Sequence, residues 1–292
     1  MKPPPFRYHA PRRLDELLQT IAAVGDGGKI LAGGQSLVPM LNLRLARFDD
    51  LVDLGRVDEL CGVQRHPDRL TVGAGTRDAA IETDPRVADA VPLLTLVTPY
   101  IGHFQIRNRG TVGGSIAHAD PSAEYPAVAR VLDATMTVAS ASGRRTIAAA
   151  DFFTGFWSTS MEADEVLVSV DFPVWSGRSG FGVAEFARRH GDFAIAGAVA
   201  AVELDADAAI VRCALGLFGV SDIPVRLDAV ERTLIGRSAA SVDATALGDD
   251  ALASVEDVTD DSQVPASYRA RVAAAMMADA WTMALRNAEE ER

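Results

Sequence analysis

Ile106-Arg107-Asn108-Arg109-Gly110-Thr111-Val112-Gly113-Gly114-Ser115-Ile116-Ala117-His118-Ala119-Asp120-Pro121 is the stretch on which the reading of this chain turns. It is rich in turn formers and weak in periodicity, which predicts a long ordered loop, and long loops inside compact domains usually carry function. Its centre, Thr111-Val112-Gly113-Gly114-Ser115, has a counterpart upstream in Ala32-Gly33-Gly34-Gln35-Ser36. Glycine admits positive φ and lets a ligand approach the backbone with no Cβ between them. Successive amides in such turns form a concave nest for an anion, and the first turn also opens a predicted helix whose N-terminus favours negative charge. Ser36, Thr111 and Ser115 add hydroxyl donors. Two nests facing each other suit the two phosphates of a dinucleotide. One glycine pair alone would more often be a plain tight turn; the recurrence argues against that.

Outward from these turns, Leu14, Leu17, Leu18, Ile21 and Val24 recur at helical spacing and stop at Gly25, Gly27 and Gly28. Lys29 to Ala32 and Leu51 to Leu54 suit short strands, and Leu37 to Leu45 suits a second helix with Pro39 in its first turn. Leu70 to Gly75 suits a strand, Val87 to Leu96 a helix, and Glu124 to Leu132 another. Val166, Val168, Val170 and Phe172 alternate with polar neighbours as a half-buried strand does. Trp175 to Gly180 is the candidate boundary. Beyond it, Phe193 to Leu204 and Ile210 to Phe218 suit paired strands, and Ser221 to Arg237 holds a short helix. Asp243 to Asp261 reads as loop-rich, and Tyr268 to Asn287 as a long final helix with Val272, Met276, Ala280 and Met283 on one face.

The 292 residues carry a formal charge of −12, which repels a phosphate backbone, so nucleic-acid or anionic-membrane binding is not expected and any anionic ligand needs a local device. Only Cys61 and Cys213 are present, too few for an iron–sulfur cluster on this chain alone. No apolar run suits a signal peptide or membrane span, so the expected location is cytoplasmic. Gly25-Asp26-Gly27-Gly28-Lys29-Ile30 fails the phosphate-loop spacing, and Gly73-Ala74-Gly75 lacks the third glycine of a Rossmann fingerprint, having Asp78 there. The scattered His9, His66, His103, His118 and His190 show no metal-ligand spacing, so no metal site is expected.

The run Ala32 to Arg44, the run Ile106 to Pro121, and Arg188-Arg189-His190-Gly191-Asp192-Phe193-Ala194 together resemble the FAD-binding medium subunit of molybdenum hydroxylases, the xanthine dehydrogenase and carbon monoxide dehydrogenase flavoprotein family. The likeness extends over essentially the whole chain, including Tyr268-Arg269 before the last helix. It implies an α+β fold: a two-lobed FAD-binding domain of the vanillyl-alcohol-oxidase (PCMH) type over residues 1–176, with lobes of about 1–55 and 56–176, then a smaller α+β domain with an antiparallel sheet over 177–292. On the matching positions, Leu31, Ala32, Gly33, Gly34, Gln35, Ser36 and Leu37, with Thr111, Val112, Gly113, Gly114 and Ser115, would wrap the pyrophosphate and adjoining ribityl. Asp120 and Glu124 would accept from sugar or ribityl hydroxyls, and Ile101 and Leu167 would touch the cofactor's apolar faces. Phe193 stands where many relatives have tyrosine beside the flavin, so stacking survives there without a phenol hydroxyl; the bland alternative is a core aromatic. For Asp120 the bland alternative is a helix cap.

The resemblance further implies non-covalent FAD on this chain and no catalytic acid or base. Partners would be a large molybdenum-cofactor subunit and a small iron–sulfur subunit, as a dimer of heterotrimers. Electrons would pass from the partner clusters through FAD to an external acceptor. Two alternatives stand beside this: a self-sufficient FAD oxidase or reductase, which would need a substrate pocket and usually a base, and a non-catalytic dinucleotide-binding scaffold or sensor.

Overall fold

Three larger sheets and a two-stranded hairpin organise the computed structural model, which describes residues 2–290. The first is parallel, in the order β1 (Arg7–His9), β3 (Asp50–Asp53), β2 (Gly28–Leu31). Parallel neighbours need a crossover, and α1 (Leu14–Val24) supplies it by burying Leu14, Leu17 and Ile21. The helix stops where Gly25 takes φ +57°. After β2 the chain makes the first glycine turn and enters α2 (Leu37–Asn42), with Pro39 in the first turn as expected.

The second sheet is antiparallel, β4 (Val63–Arg65), β5 (Arg69–Gly73), β10 (Val166–Pro173), β6 (Thr135–Ser140), β7 (Gly143–Ala148). The strict alternation expected along β10 is broken by a bulge between Leu167 and Ser169. As a result Val166 and Val168 join the core of the first lobe, while Leu167, Val170 and Phe172 join the main core. Between β5 and β6 lie α3 (Asp78–Thr83), α4 (Pro85–Ala90), α5 (Pro92–Val97), α6 (Phe104–Arg107), α7 (Val112–His118) and α8 (Glu124–Val131). The single helix expected over Val87 to Leu96 is two, because Pro92 cannot continue α4 and instead starts α5. The expected loop from Ile106 to Pro121 is also corrected, since α6 and α7 occupy much of it. A helix α9 (Ala149–Phe152) leads to the small hairpin β8 (Phe153–Gly155) and β9 (Ser158–Thr159).

The third sheet is antiparallel, β11 (Arg178–Phe186), β12 (Ala196–Leu204), β13 (Ile210–Phe218), β14 (Val225–Arg226). Alternation along β11 sends Phe181 and Val183 into the main core, and puts Gly180 and Gly182 under the last helix, α12 (Ala266–Glu290). A Cβ on either glycine would lie 2.0 Å from a carbonyl oxygen of α12, so the helix backbone rests directly on the sheet. That close approach selects small residues at Ala280, Ala284 and Ala288; the buried face also holds Arg269, Ala273, Met277 and Trp281, and of the expected stripe only Ala280 belongs to it. Helix α10 (Asp228–Leu234) falls in the expected stretch. The acidic segment expected to be loop contains α11 (Ala244–Ala253), capped by the Asp243 carboxylate accepting from the Ala246 amide at 2.9 Å. Gly248 lets α11 pack against α12, a reason for glycine that a turn-former reading misses.

Candidate cofactor-binding site

The two glycine turns touch. A Cβ added at Gly33 would stand 2.4 Å from the Arg109 carbonyl oxygen and 2.7 Å from Gly110 Cα. One added at Gly114 would meet Thr111 Oγ1 at 2.7 Å and Ala32 Cβ at 3.1 Å. One at Gly113 would stand 2.3 Å from Ala74 Cβ at the end of β5. Positive φ is needed only at Gly34, at +75°. At the other three positions glycine serves close approach of backbones, not an unusual conformation.

The turns differ in what they offer a ligand. In the second, Val112 N–H donates to the Thr76 carbonyl (3.1 Å) and Gly113 N–H to the Ala74 carbonyl (2.9 Å). Gly114 N–H donates to Thr111 Oγ1 (3.0 Å), the N-cap of α7, and Ser115 N–H to the Thr111 carbonyl (3.0 Å). These amides are spent, so the expectation of two equal nests is corrected: the second turn is a rigid wall. In the first turn, the amides of Gly33, Gly34, Gln35, Ser36 and Leu37 donate to no acceptor among the described residues. Gln35 Nε2 steadies the loop by donating to the Gly33 carbonyl at 3.0 Å. A run of free amides beside a wall that two glycines let close in fits the diphosphate of FAD, whose oxygens would take those donors.

Beyond α7, Ala119 takes φ +53° and delivers Asp120 into a turn. Asp120 Oδ1 accepts from the Ser122 amide (2.9 Å) and Oδ2 from Trp157 Nε1 (3.2 Å). The N-cap of α8 is Ala123, so Asp120 is not that helix's cap. Trp157, from the β8–β9 hairpin, also stacks on His118 with ring centroids 5.6 Å apart. Glu124 is 8% exposed and faces Glu185, the next residue in the inward row Phe181, Val183 of β11. Burial, then the neighbouring Glu185 carboxyl, push the Glu124 carboxyl well above the usual range, and burial pushes Glu185 up to about 7. A carboxyl group shifted toward its neutral form can donate as well as accept. Ile101 is half-buried at the rim of the main core. Leu167 is 4% exposed within that core, so it is a packing residue and not an open apolar face for a ligand. The bulge in β10 turns it inward.

Phe193 is 68% exposed, which excludes the core-aromatic alternative. It sits in the loop between β11 and β12, where a Cβ on Gly191 would stand 2.9 Å from the Gly102 carbonyl, so this loop touches the segment beside Ile101. The loop's base is held by Arg269 of α12, 5% exposed, which donates to the carbonyls of Ile195 (2.6 Å), Gly219 (2.7 Å) and Thr259 (3.0 Å) and to Asp261 Oδ2 (2.5 Å). Apart from one signal, nothing in the sequence pattern alone marks Arg269, Asp78, Trp157 or Glu185 as a site residue. The readable signal for Glu185 is a carboxylate continuing an apolar alternation.

A two-lobed α+β fold with a loop of free amides walled by a second glycine turn, followed by an antiparallel sheet under one long helix, defines a flavin-dinucleotide-binding class. The chain belongs to the family of FAD-binding flavoprotein subunits of molybdopterin dehydrogenases: residues 4–175 match the FAD binding domain in molybdopterin dehydrogenase, and residues 182–284 the CO dehydrogenase flavoprotein C-terminal domain. It is 37% identical over 288 residues to the 6-hydroxypseudooxynicotine dehydrogenase complex subunit alpha of Paenarthrobacter nicotinovorans, covering 99% of this chain and 97% of the relative. It is 32% identical to the carbon monoxide dehydrogenase medium chain of Hydrogenophaga pseudoflava, covering 95% and 96%. The solved carbon monoxide dehydrogenase from the same organism superposes with a TM-score of 0.93 over 98% of this chain and 99% of that one, at 32% identity. Quinoline 2-oxidoreductase from Pseudomonas putida 86 superposes with a TM-score of 0.90 over 99% of each chain, at 35% identity. The chain is thus an oxidoreductase subunit of the FAD-binding medium type. No described helix is long and apolar enough to cross a membrane.

Proposed function

We propose that this chain holds FAD at the two touching turns and serves as the electron-transfer subunit of a molybdenum hydroxylase, as a cytoplasmic dimer of heterotrimers with a large molybdenum-cofactor subunit and a small iron–sulfur subunit. The observation that carries the placement is the row of unpartnered amides from Gly33 to Leu37 against the wall built by Thr111 to Ser115. Leu31 and Ala32 lead into that row, Ser36 and Ser115 offer hydroxyls to the phosphates and ribityl, and Asp120 and Glu124 receive sugar or ribityl hydroxyls. Ile101 and the exposed ring of Phe193 line the flavin end, on two loops that touch at Gly102 and Gly191. When bound, FAD supplies a junction between one-electron and two-electron carriers. The protein's part is to orient and shield it. The division at residues 176/177 assigns cofactor binding to the first domain, with the second contributing Glu185 and Phe193.

Substrate hydroxylation falls to the large subunit. Metal and flavin analysis of the native complex tests this reading: FAD, molybdenum and iron–sulfur are expected in one assembly. A complex without FAD, or hydroxylation by this chain alone, would count against it.

A further inference from the structure

The carboxyl group of Asp78 lies beneath the contact between the two turns. Asp78 is 3% exposed, its Oδ1 is buried with no hydrogen-bond partner among the described residues, and its Oδ2 is 2.0 Å from where a Cβ on Gly110 would stand. Gly110 Cα is in turn the atom 2.7 Å from a Cβ on Gly33. One residue therefore separates this carboxyl from the amide-lined turn. The charged and titratable groups around it are spent elsewhere or acidic. Arg77 donates its guanidinium to the Arg109 carbonyl. Arg107 on α6 is held by Glu82, at 2.8 Å, and by the carbonyls of Ile101 and Gly102. From α8, Glu124 and the buried Tyr125 face the same region, and Tyr125 bonds to Thr98 at 2.8 Å.

An ionised Asp78 would meet two opposing forces at once: burial without a donor, and a doubly negative diphosphate beyond Gly110. We infer that Asp78 carries a proton whenever the diphosphate occupies the cradle, so that FAD binding by this chain takes up a proton from solvent. The inference rests on the diphosphate placement proposed above. The balance is ionised chain plus FAD plus one proton giving the neutral-carboxyl complex, with no other bond made or broken. Burial already pushes the carboxyl of the free chain up to about 7, with Arg77 and Arg107 only partly offsetting it. Above that pH the free chain is ionised, and affinity falls by about ten-fold per pH unit as long as the bound form stays protonated.

Calorimetric titration of the FAD-stripped full chain with FAD, at about pH 8 in buffers of low and high ionisation enthalpy, counts the protons. About one per FAD is expected for the natural chain. For Asp78→Asn, which keeps the shape and cannot ionise, uptake lower by about one proton is expected, with a correspondingly shallower fall of affinity from about pH 7 to 8.5. Asp78→Ser is a second non-ionising variant should the amide fail to fold, and carboxyl carbon NMR of chain labelled only at aspartate reads the natural protein directly. There, one aspartate titrating near neutrality is expected to remain protonated above about pH 8 once FAD is added. Absence of proton uptake, or uptake undiminished in Asp78→Asn, overturns the inference while leaving FAD binding intact. A chain that binds no FAD at any pH overturns this and the cofactor placement together.

Discussion

A methyl group added at Gly33, in the variant Gly33→Ala, would stand 2.4 Å from the Arg109 carbonyl oxygen and 2.7 Å from Gly110 Cα. Both neighbours are backbone, so neither can rotate aside, and the overlap is removed only by moving the two turns apart. Overpacking of this kind typically costs about 1–3 kcal/mol, and a contact a full ångström too short belongs near the upper end. If the free amides of Gly33 to Leu37 are lifted off their wall by that movement, FAD affinity falls by about 100-fold, since each 1.4 kcal/mol is about ten-fold. Gly34→Ala is the informative neighbour. Its φ of +75° costs about 1–2 kcal/mol for any other residue. Its Cβ, however, meets only the ends of Val38 and Leu31 at 3.2 and 3.3 Å, so a smaller loss of FAD is expected. Gly62→Ala, with φ +100° and open space around it, lowers stability and leaves FAD affinity unchanged. Flavin-fluorescence titration and thermal melting of the three variants supply the comparison. Gly33→Ala with natural FAD affinity and an unshifted melting curve would refute the reasoning.

Thr111→Val removes the acceptor for the Gly114 amide and is expected to cost about 1 kcal/mol, restored by Thr111→Ser, as read by chemical denaturation. Arg269→Met keeps the volume but abandons three carbonyls and the Asp261 carboxylate; a loss of about 3 kcal/mol is expected. Faster proteolysis of the Phe193 loop is expected with it, and an unchanged denaturation midpoint would contradict the clamp. Glu185 has its pKa raised by burial from 4.5 to about 7, so the folded chain binds the proton more tightly than the unfolded one. Its contribution to stability is therefore complete below about 4.5 and lost as the pH rises through about 7. Melting temperature followed across that window is expected to fall less in Glu185→Gln than in the natural chain.

The elements most legible in the sequence were those whose own residues pay for them locally. The helix Leu14–Val24 shows its apolar spacing and its glycine stop, and Gly28–Leu31 shows a short apolar run ending in a turn. Pro92 marks a break there, but the apolar pattern runs on across it from Val87 to Leu96 and masks the boundary between two helices. Ala244–Ala253 and the true face of Ala266–Glu290 are hidden because much of their buried surface is alanine, with Gly248 in the first, placed for closeness and not bulk. A stripe of large apolar residues is then the wrong signal.

At the site, the paired glycine turns and the residue types around them could be read from the chain order alone, since backbone freedom and hydroxyl chemistry belong to the residues themselves. Their division of labour could not. Whether an amide is free depends on a carbonyl brought to it from elsewhere, as Ala74 and Thr76 are brought to the second turn and nothing is brought to the first. The same holds for protons: Asp78, Glu124 and Glu185 are ordinary carboxylates in sequence, and only burial against partners distant along the chain pushes them up from the usual carboxylate range.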